Sequence, residues 1–294
     1  MADKTLSFAL FGNGYQVGKS MTVRTLLETL VGRNARILID KPYLGFIRHQ
    51  LGINLKPDGV FSGDDFSADY AVSMGGDGTL LHVAARIGDK NIPIIGVNMG
   101  RLGFLADIMP DEIPTAFDNV FIGNITTESH SLIRIDTQGD SVMGSPFALN
   151  DIAVLKRDNA SMISVHITIN GEYVGNYLAD GIIVATPTGS TAYSLSNGGP
   201  IIVPQSNSLC ITPVAPHSLS LRPIVIRDDC RIELSVESRT HNFLVAVDGR
   251  SQKMHDTTLL TITKARHNIQ IVRNPEHHYF STLREKMMWG ADQR

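Results

Sequence analysis

The residues with the clearest chemical potential stand at Ser73-Met74-Gly75-Gly76-Asp77-Gly78-Thr79-Leu80-Leu81. Three glycines surround one carboxylate, with the strand-like Tyr70–Ser73 ahead and a helical apolar run behind. Glycines at such a junction let the backbone approach a bulky anion and take positive φ. The helix start behind them aims N–H groups and the positive end of its dipole at a phosphate. Asp77 is the one side chain of the turn able to take a proton. That combination suggests phosphoryl transfer to an alcohol, with Asp77 as the base. Asp-Gly is also a common tight-turn pair, so alone the motif is equally compatible with a plain turn.

A second constellation lies in Thr186-Pro187-Thr188-Gly189-Ser190-Thr191-Ala192-Tyr193-Ser194-Leu195-Ser196-Asn197-Gly198-Gly199-Pro200, dense in small hydroxyl residues and glycine. It follows the apolar run Ile182–Ala185 and offers hydroxyl and N–H donors suited to a nucleotide ring and sugar. The alternative is a polar loop of a β-rich domain with Tyr193 over its edge. Ala179-Asp180-Gly181 puts a carboxylate at the entrance to the same strand. Asn150-Asp151 interrupts an apolar stretch from Phe147 to Leu155, which costs stability unless the polar groups find partners. A turn or bulge there is the structural alternative.

The elements that must position these groups fall into two rhythms. Residues 1–125 alternate short apolar runs with helical patterns, as βαβ units of a parallel sheet do. Strands are expected at Leu6–Phe11, Arg36–Ile39, Asp69–Met74 and Ile92–Val97, with helices at Val17–Val31 and Thr79–Ile87. In open sheets of this kind ligands sit beyond the carboxyl ends of strands. Gly12-Asn13-Gly14, Gly75–Gly78 and Asn98–Gly103 all fall at such ends. From residue 126 the period becomes two, with strands expected at Ser131–Asp136, Phe147–Leu155, Ile163–Ile169, Leu209–Thr212, Ile224–Ile226, Ile232–Val236 and Phe243–Val247. Asn170-Gly171 between apolar runs is a hairpin signal. The fold expected is α/β plus all-β: a Rossmann-like parallel domain over 1–125, a β-sandwich-like domain over 126–271, and a helix at Tyr279–Trp289 returning so that 272–294 complete the first domain.

Composition narrows the function. The chain has 294 residues, 43% hydrophobic and 19% charged, with a formal net charge of -3, which fits a two-domain globular protein and argues against nucleic acid as the main partner. No apolar run approaches the ~20 residues that cross a bilayer. Cys210 and Cys230 lack CxxC spacing, so a reducing cytoplasm is expected. Gly14-Tyr15-Gln16-Val17-Gly18-Lys19-Ser20 imitates a phosphate-binding P-loop but has three residues between its glycines where four are needed. Gly12-Asn13-Gly14 likewise lacks the third glycine of a dinucleotide fingerprint.

Together these residues resemble the NAD kinase (ATP-NAD kinase) family. The GGDG turn, the Asn-acidic pair and the threonine/glycine-rich stretch occur in that order, and the third is the most specific of them. Asn98–Leu105, Pro213–Pro223, Asp248-Gly249-Arg250 and Tyr279–Leu283 match as well, so the resemblance covers nearly the whole chain. It implies transfer of the ATP γ-phosphate to the 2′-hydroxyl of the adenosine ribose of NAD, giving NADP, with Asp77 as general base. Gly75, Gly76, Gly78 and Thr79 would form the phosphate turn. Asn150 and Asp151 would hold the dinucleotide, and Asp180 would face its nicotinamide end. Thr188, Thr191, Ala192, Tyr193 and Ser196 would wrap the adenosine. Asp77, Gly78, His82, Ser194, Leu195, Ala215 and Arg250 complete the implied NAD-binding set. The resemblance also implies Mg²⁺ or another divalent cation arriving with ATP and a homodimer or homotetramer built by the β-rich domain; the chain itself offers no clear set of metal ligands, and without a membrane-length apolar run no membrane partner is expected. Two positions depart from the pattern: the pair is usually Asn-Glu, one methylene longer than Asn150-Asp151, and His82 stands where a basic residue is common. GGDG alone is shared with lipid kinases and phosphofructokinases. A lipid or sugar kinase, or a dinucleotide-binding regulator without catalysis, are therefore the competing readings.

Overall fold

The structure is a computed structural model that describes residues 5–12, 14, 20–100, 103–158, 161–274, 277–288 and 290. The chain forms two compact units, Met1–Ser129 with Ile269–Arg294, and His130–Asn268.

The first unit opens with β1 (Ser7–Gly12), α1 (Ser20–Gly32), β2 (Arg36–Asp40), α2 (Lys41–His49) and β3 (Gly59–Phe61). It continues through β4 (Tyr70–Gly75), α3 (Asp77–Ile87), β5 (Ile94–Asn98) and α4 (Ile113–Ile122). The strands pair in parallel in the order β3-β2-β1-β4-β5. The chain order reverses between β1 and β4, and ligands of open α/β sheets bind beyond the carboxyl ends of strands at such a switch point. Gly75-Gly76-Asp77 leaves β4 there. Both faces of the sheet are covered, so the strands are apolar throughout rather than alternating. Phe8, Leu10, Ile39, Val72 and Ile95 lie in one core with Val23, Leu26 and Leu30 of α1 and Phe117 of α4.

α2 and β3 were not expected. Pro42 at the first turn of α2 starts a helix without needing a donor, and Tyr43, Leu44 and Ile47 recur at helical spacing on its buried side. The expected helix start at Val17 and the P-loop imitation at Tyr15–Lys19 lie outside the described residues. Three glycines of the GGDG turn also behave differently from expectation. None of Gly75, Gly76 or Gly78 takes positive φ. Space requires glycine only at Gly75, where a Cβ would meet Thr79 Oγ1 at 2.1 Å; Gly76 and Gly78 have nothing within 4 Å and leave the turn open.

The second unit takes up β6 (Thr126–Gln138), which begins in the first, and adds β7 (Phe147–Ala148), β8 (Asp151–Lys156), β9 (Ile163–Ile169), β10 (Glu172–Ala179) and β11 (Gly181–Ala185). The four-residue helix α5 (Tyr193–Ser196) precedes β12 (Ser208–Val214), β13 (Ile224–Arg227), β14 (Ile232–Glu237), β15 (Asn242–Val247) and β16 (Arg250–His255). One antiparallel sheet runs β13-β12-β11-β8-β15-β16. Facing it, β10, β9 and β14 continue antiparallel into the start of β17 (Leu259–Arg273). Val154, Ile182 and Val245 from one layer and Val165, Leu234 and Leu260 from the other share a core. That is the sandwich the period-two patterning implied. Asn170 and Gly171 take φ of 51° and 83° at the β9–β10 turn, as a type I′ hairpin requires.

β17 crosses from the second unit into the first, where Ile271 and Val272 pair in parallel with Ile94 and Ile95 of β5. α6 (Tyr279–Met287) follows it within the first unit. Among the described residues no helix is long and apolar enough to cross a membrane.

Candidate active site

Asp77 is the first residue of α3, whose N-terminus carries no side-chain cap. A carboxylate is favoured in that first turn by the helix dipole. Its partners come from the segment after β5. That segment returns to form a parallel bridge with the strand, with Asn98 N–H donating to Ile108 O (2.8 Å) and Ile108 N–H to Gly96 O (3.1 Å). The buried Asn98 amide reaches Ala106 O at 3.2 Å. Three successive amides of this segment are thereby turned onto the carboxylate. Phe104 N–H donates to Asp77 Oδ2 at 2.9 Å, and Leu105 and Ala106 N–H both donate to Oδ1 at 3.1 Å. Gly103 must lack a side chain, since a Cβ there would lie 2.2 Å from Oδ1.

Charged groups brace the same segment from behind. Arg273, near the end of β17, donates from Nη1 to Phe104 O (3.2 Å) and lies 3.3 Å from Asp107 Oδ2. Its Nε meets Glu128 at 2.9 Å. Burial pushes the Asp107 carboxyl above its ordinary range, against the pull of Arg273. From α6, Lys286 places its ammonium 4.5 Å over the Phe104 ring and 3.5 Å from Asp77 Oδ2. The half-buried Thr79 packs on Gly75, and His82 is exposed on α3. A cavity of about 420 Å³ bordered by Glu112, Asn119 and Asn274 lies in the same unit, and no expected site residue lines it.

The second unit sets Asn150, Asp151, Arg250 and the start of the threonine/glycine stretch around a break in one strand, whereas Asp180 and Ala215 stand at the other end of β11. The run from Phe147 to Leu155, expected as one strand, divides into β7 and β8 at Leu149-Asn150. Asp248 explains the division. It sits with φ of 47° in the β15–β16 turn, and its carboxylate accepts from Leu149, Asn150 and Asp151 N–H at 2.8, 2.8 and 3.1 Å. From the other side Thr186 donates its hydroxyl to Leu149 O (2.5 Å) and its N–H to Asn150 O (2.9 Å). A Cβ on Gly189 would meet Asn150 O at 2.0 Å, so the start of the threonine/glycine stretch lies flat against the pair. Asn150 Oδ1 is buried and has no hydrogen-bond partner among the described residues. Asp151 is 6% exposed, and burial, with the Asp248 carboxylate alongside, pushes its carboxyl up to about 7.

Other expected residues in this unit divide by what their side chains already do. Asp180 is paired with Lys156 at 2.7 Å. Thr188 Oγ1 meets His130 Nδ1 at 2.8 Å, and Thr191 Oγ1 donates to Thr188 O at 3.3 Å. Ser194 is fully buried with its hydroxyl on Thr212 Oγ1 at 2.8 Å, so that hydroxyl belongs to the core. Tyr193 and Ser196 are exposed, while Ala192 and Leu195 are half-buried. Ala215 is exposed with φ of 42°. Arg250 directs its guanidinium to Val247 O (3.1 Å) and Phe147 O (3.2 Å), bracing the broken strand. Among the described residues no cluster of three His, Cys, Asp or Glu could hold a metal ion.

Sequence reasoning missed four parts of these arrangements: the Phe104–Ala106 amides, the Asp248 carboxylate as their counterpart, Lys156 on Asp180, and Lys286. Asp248-Gly249 carried a turn signal. The rest depend on contacts between distant segments.

A carboxylate at a glycine turn on a parallel-sheet switch point, with a separate unit holding a polar pair in a broken strand, defines a phosphotransferase of two-unit build. Residues 58–125 match the model of the ATP-NAD kinase N-terminal domain and residues 149–274 that of the ATP-NAD kinase C-terminal domain. The chain is 51% identical over 289 residues to the NAD kinase of Bacteroides fragilis, covering 98% of this chain and 100% of that protein. It is 40% identical over 284 residues to the NAD kinase of Porphyromonas gingivalis, covering 96% and 98%. Its fold matches a crystal structure of an Archaeoglobus fulgidus NAD kinase in complex with ATP at a TM-score of 0.76, with 26% identity and coverage of 96% and 99%. It also matches yeast NADH kinase complexed with NADH at a TM-score of 0.89, with 22% identity and coverage of 100% and 90%, a likeness of fold. The chain belongs to the ATP-NAD kinase family.

Proposed function

We propose that this enzyme transfers the γ-phosphoryl group of ATP to the 2′-hydroxyl of the adenosine ribose of NAD, with Asp77 as general base. The O2′–H proton passes to Asp77, O2′ bonds to the γ-phosphorus, and the bond to ADP breaks with its electrons on the β-phosphate oxygen. The products are NADP and ADP. The observation that carries this reading is the Asp77 carboxylate held by three amides beside open Gly76 and Gly78. A fixed base contributes ~10²–10⁴ in rate, and the remainder comes from positioning and from donors around the phosphates.

Gly75, Gly76, Gly78 and Thr79 serve as the phosphate turn. Asn150 and Asp151 hold the dinucleotide, supported by the unpartnered buried oxygen of Asn150. Asp180, Thr188, Thr191, Ala192, Tyr193, Leu195, Ser196, Ala215 and Arg250 serve the same ligand, with Ser194 acting through its packing. Mg²⁺ enters with ATP. The turn offers backbone donors and one carboxylate already carrying three amides, which suits a cation that brings phosphate oxygens and water as its ligands. The cation neutralises phosphate charge when bound.

The enzyme works in the cytoplasm as a homodimer or homotetramer. Free Cys210 and Cys230 suit a reducing compartment. Tyr173, Val174 and Leu178 are exposed at 63%, 40% and 42% on the edge strand β10, an apolar strip that a second chain would cover.

Purified protein given ATP, Mg²⁺ and NAD should form NADP, read by an NADP-specific dehydrogenase. Sedimentation of the same sample should give two or four chains. Phosphorylation of a lipid or sugar with no NADP would overturn the acceptor assignment. NAD binding without turnover would make the protein a regulator, and a monomer at assay concentration would remove the oligomer.

A further inference from the structure

We propose that Lys286, delivered by the C-terminal helix α6, is a catalytic cation that moves from the base to the transferring phosphoryl group. The inference rests on the reading of Asp77 as base, and Lys286 lies outside both matched family segments.

Counting lone pairs leads to it. An ionised carboxylate offers two acceptor positions on each oxygen. Leu105 and Ala106 N–H fill both positions on Asp77 Oδ1. Phe104 N–H fills one position on Oδ2, and the Lys286 ammonium stands towards the other at 3.5 Å. Charge-assisted hydrogen bonds of this kind close to ~2.7–2.9 Å, so the lysine is near the carboxylate without gripping it. The position left for a substrate hydroxyl is therefore the one Lys286 guards. The side chain is held from below by the Phe104 ring, whose centroid is 4.5 Å from Nζ, and remains 35% exposed. It can turn on that ring without losing its cation–π contact.

The reaction gives the movement its driving force. Before transfer, the ammonium balances the Asp77 carboxylate. When O2′–H breaks, Asp77 takes the proton and loses its negative charge, so the ammonium is left without its counter-charge. At the same stage the transferring phosphoryl oxygens and the β-phosphate oxygen of the departing ADP carry the negative charge. A cation freed within reach of them stabilises the transition state more than the ground state, which is the condition for raising kcat. The Phe104 amide and ring tie both partners to one residue. Arg273 cannot substitute: its guanidinium is engaged behind the segment by Phe104 O, Asp107 and Glu128.

The full-length enzyme tests this with Lys286→Met, Lys286→Ala and Lys286→Arg, alongside Asp77→Asn. Removing one transition-state donor typically costs ~10²–10³ in kcat. Lys286→Met is expected to lose turnover on that scale with KM for NAD within a few-fold and an unchanged melting temperature. Lys286→Arg should retain more turnover than Lys286→Met. Added ethylammonium should restore part of the turnover of Lys286→Ala while leaving the parent enzyme unaffected, which a lysine that only anchors α6 would not show. Turnover of Lys286→Met within threefold of the parent, with Asp77→Asn inactive, would overturn the proposal and leave the base intact. Loss of turnover with a lowered melting temperature and no rescue by arginine or ethylammonium would reduce Lys286 to a packing residue. Full turnover in Asp77→Asn would remove the base itself, whatever Lys286 does.

Discussion

Asp77 and Asp248 use the same device in different units. Each collects three consecutive backbone amides, 104–106 in one case and 149–151 in the other. Their surroundings then diverge. Asp77 is half-exposed beside open glycines, with a lysine ammonium over its remaining acceptor position. Asp248 is pushed up by burial despite its three amides and Arg250, and it lies alongside a second carboxylate, Asp151. A three-amide cradle alone therefore marks a fixed carboxylate. Access and a nearby cation set Asp77 apart, as the proposed base requires, while Asp248 shapes the strand break at Asn150.

The contrast can be broken most severely at Asp77. Asp77→Asn keeps an acceptor for two of the amides but cannot take the proton, so turnover should drop by ~10²–10⁴. Calorimetric NAD affinity should stay within a few-fold. A variant turning over at the parent rate would place Asp77 with Asp248 as a fixed, non-reacting carboxylate.

A smaller effect is expected one residue away from the amides. Gly103→Ala puts a Cβ where Asp77 Oδ1 now lies, 2.2 Å from it, and must move the carboxylate or the segment. Displacements of about 1 Å cost on the order of 10²-fold in rate. The measured drop in kcat should come with little change in KM for NAD. An unaffected kcat would mean that the cradle tolerates displacement and does not set the base.

The smallest effect concerns Asp151. Its carboxyl titrates at about 7 when folded against 3.8 as its ordinary value. The folded state thus binds the extra proton between those values. Stability contributed by the protonated form is present at low pH and is lost as pH rises from about 4 through 7. A melting temperature lower at pH 8 than at pH 6 is expected, and Asp151→Asn should flatten that slope by removing the charge. An unchanged slope in the variant would assign the pH dependence to another group.

Much of this was legible in the chain. The strand, glycine turn and helix around Asp77 form a continuous local pattern, so an apolar run, a break and a helical period were enough to place them. Ile163–Ile169 was readable to its ends because its alternation is clean and Asn170-Gly171 closes it. β10 and β16 escaped notice because they are edge strands with exposed or polar residues, Glu172–Ala179 and Arg250–His255, which bury too little to write a period. The split of Phe147–Leu155 was visible only as an oddly placed polar pair, since its cause lies at Asp248, nearly a hundred residues away along the chain. Lys286 had no local signature at all: its partner is 209 positions away. Short-range chemistry was readable, and groups assembled by long-range folding were not.

The first unit is discontinuous, with its last sheet strand and α6 supplied by Ile269–Arg294. On the ribosome, the opening segment folds as it emerges and exposes the edge of β5 until β17 arrives. A polypeptide stopped before β17 carries Asp77 but leaves the edge of β5 unpaired, open to association with another chain.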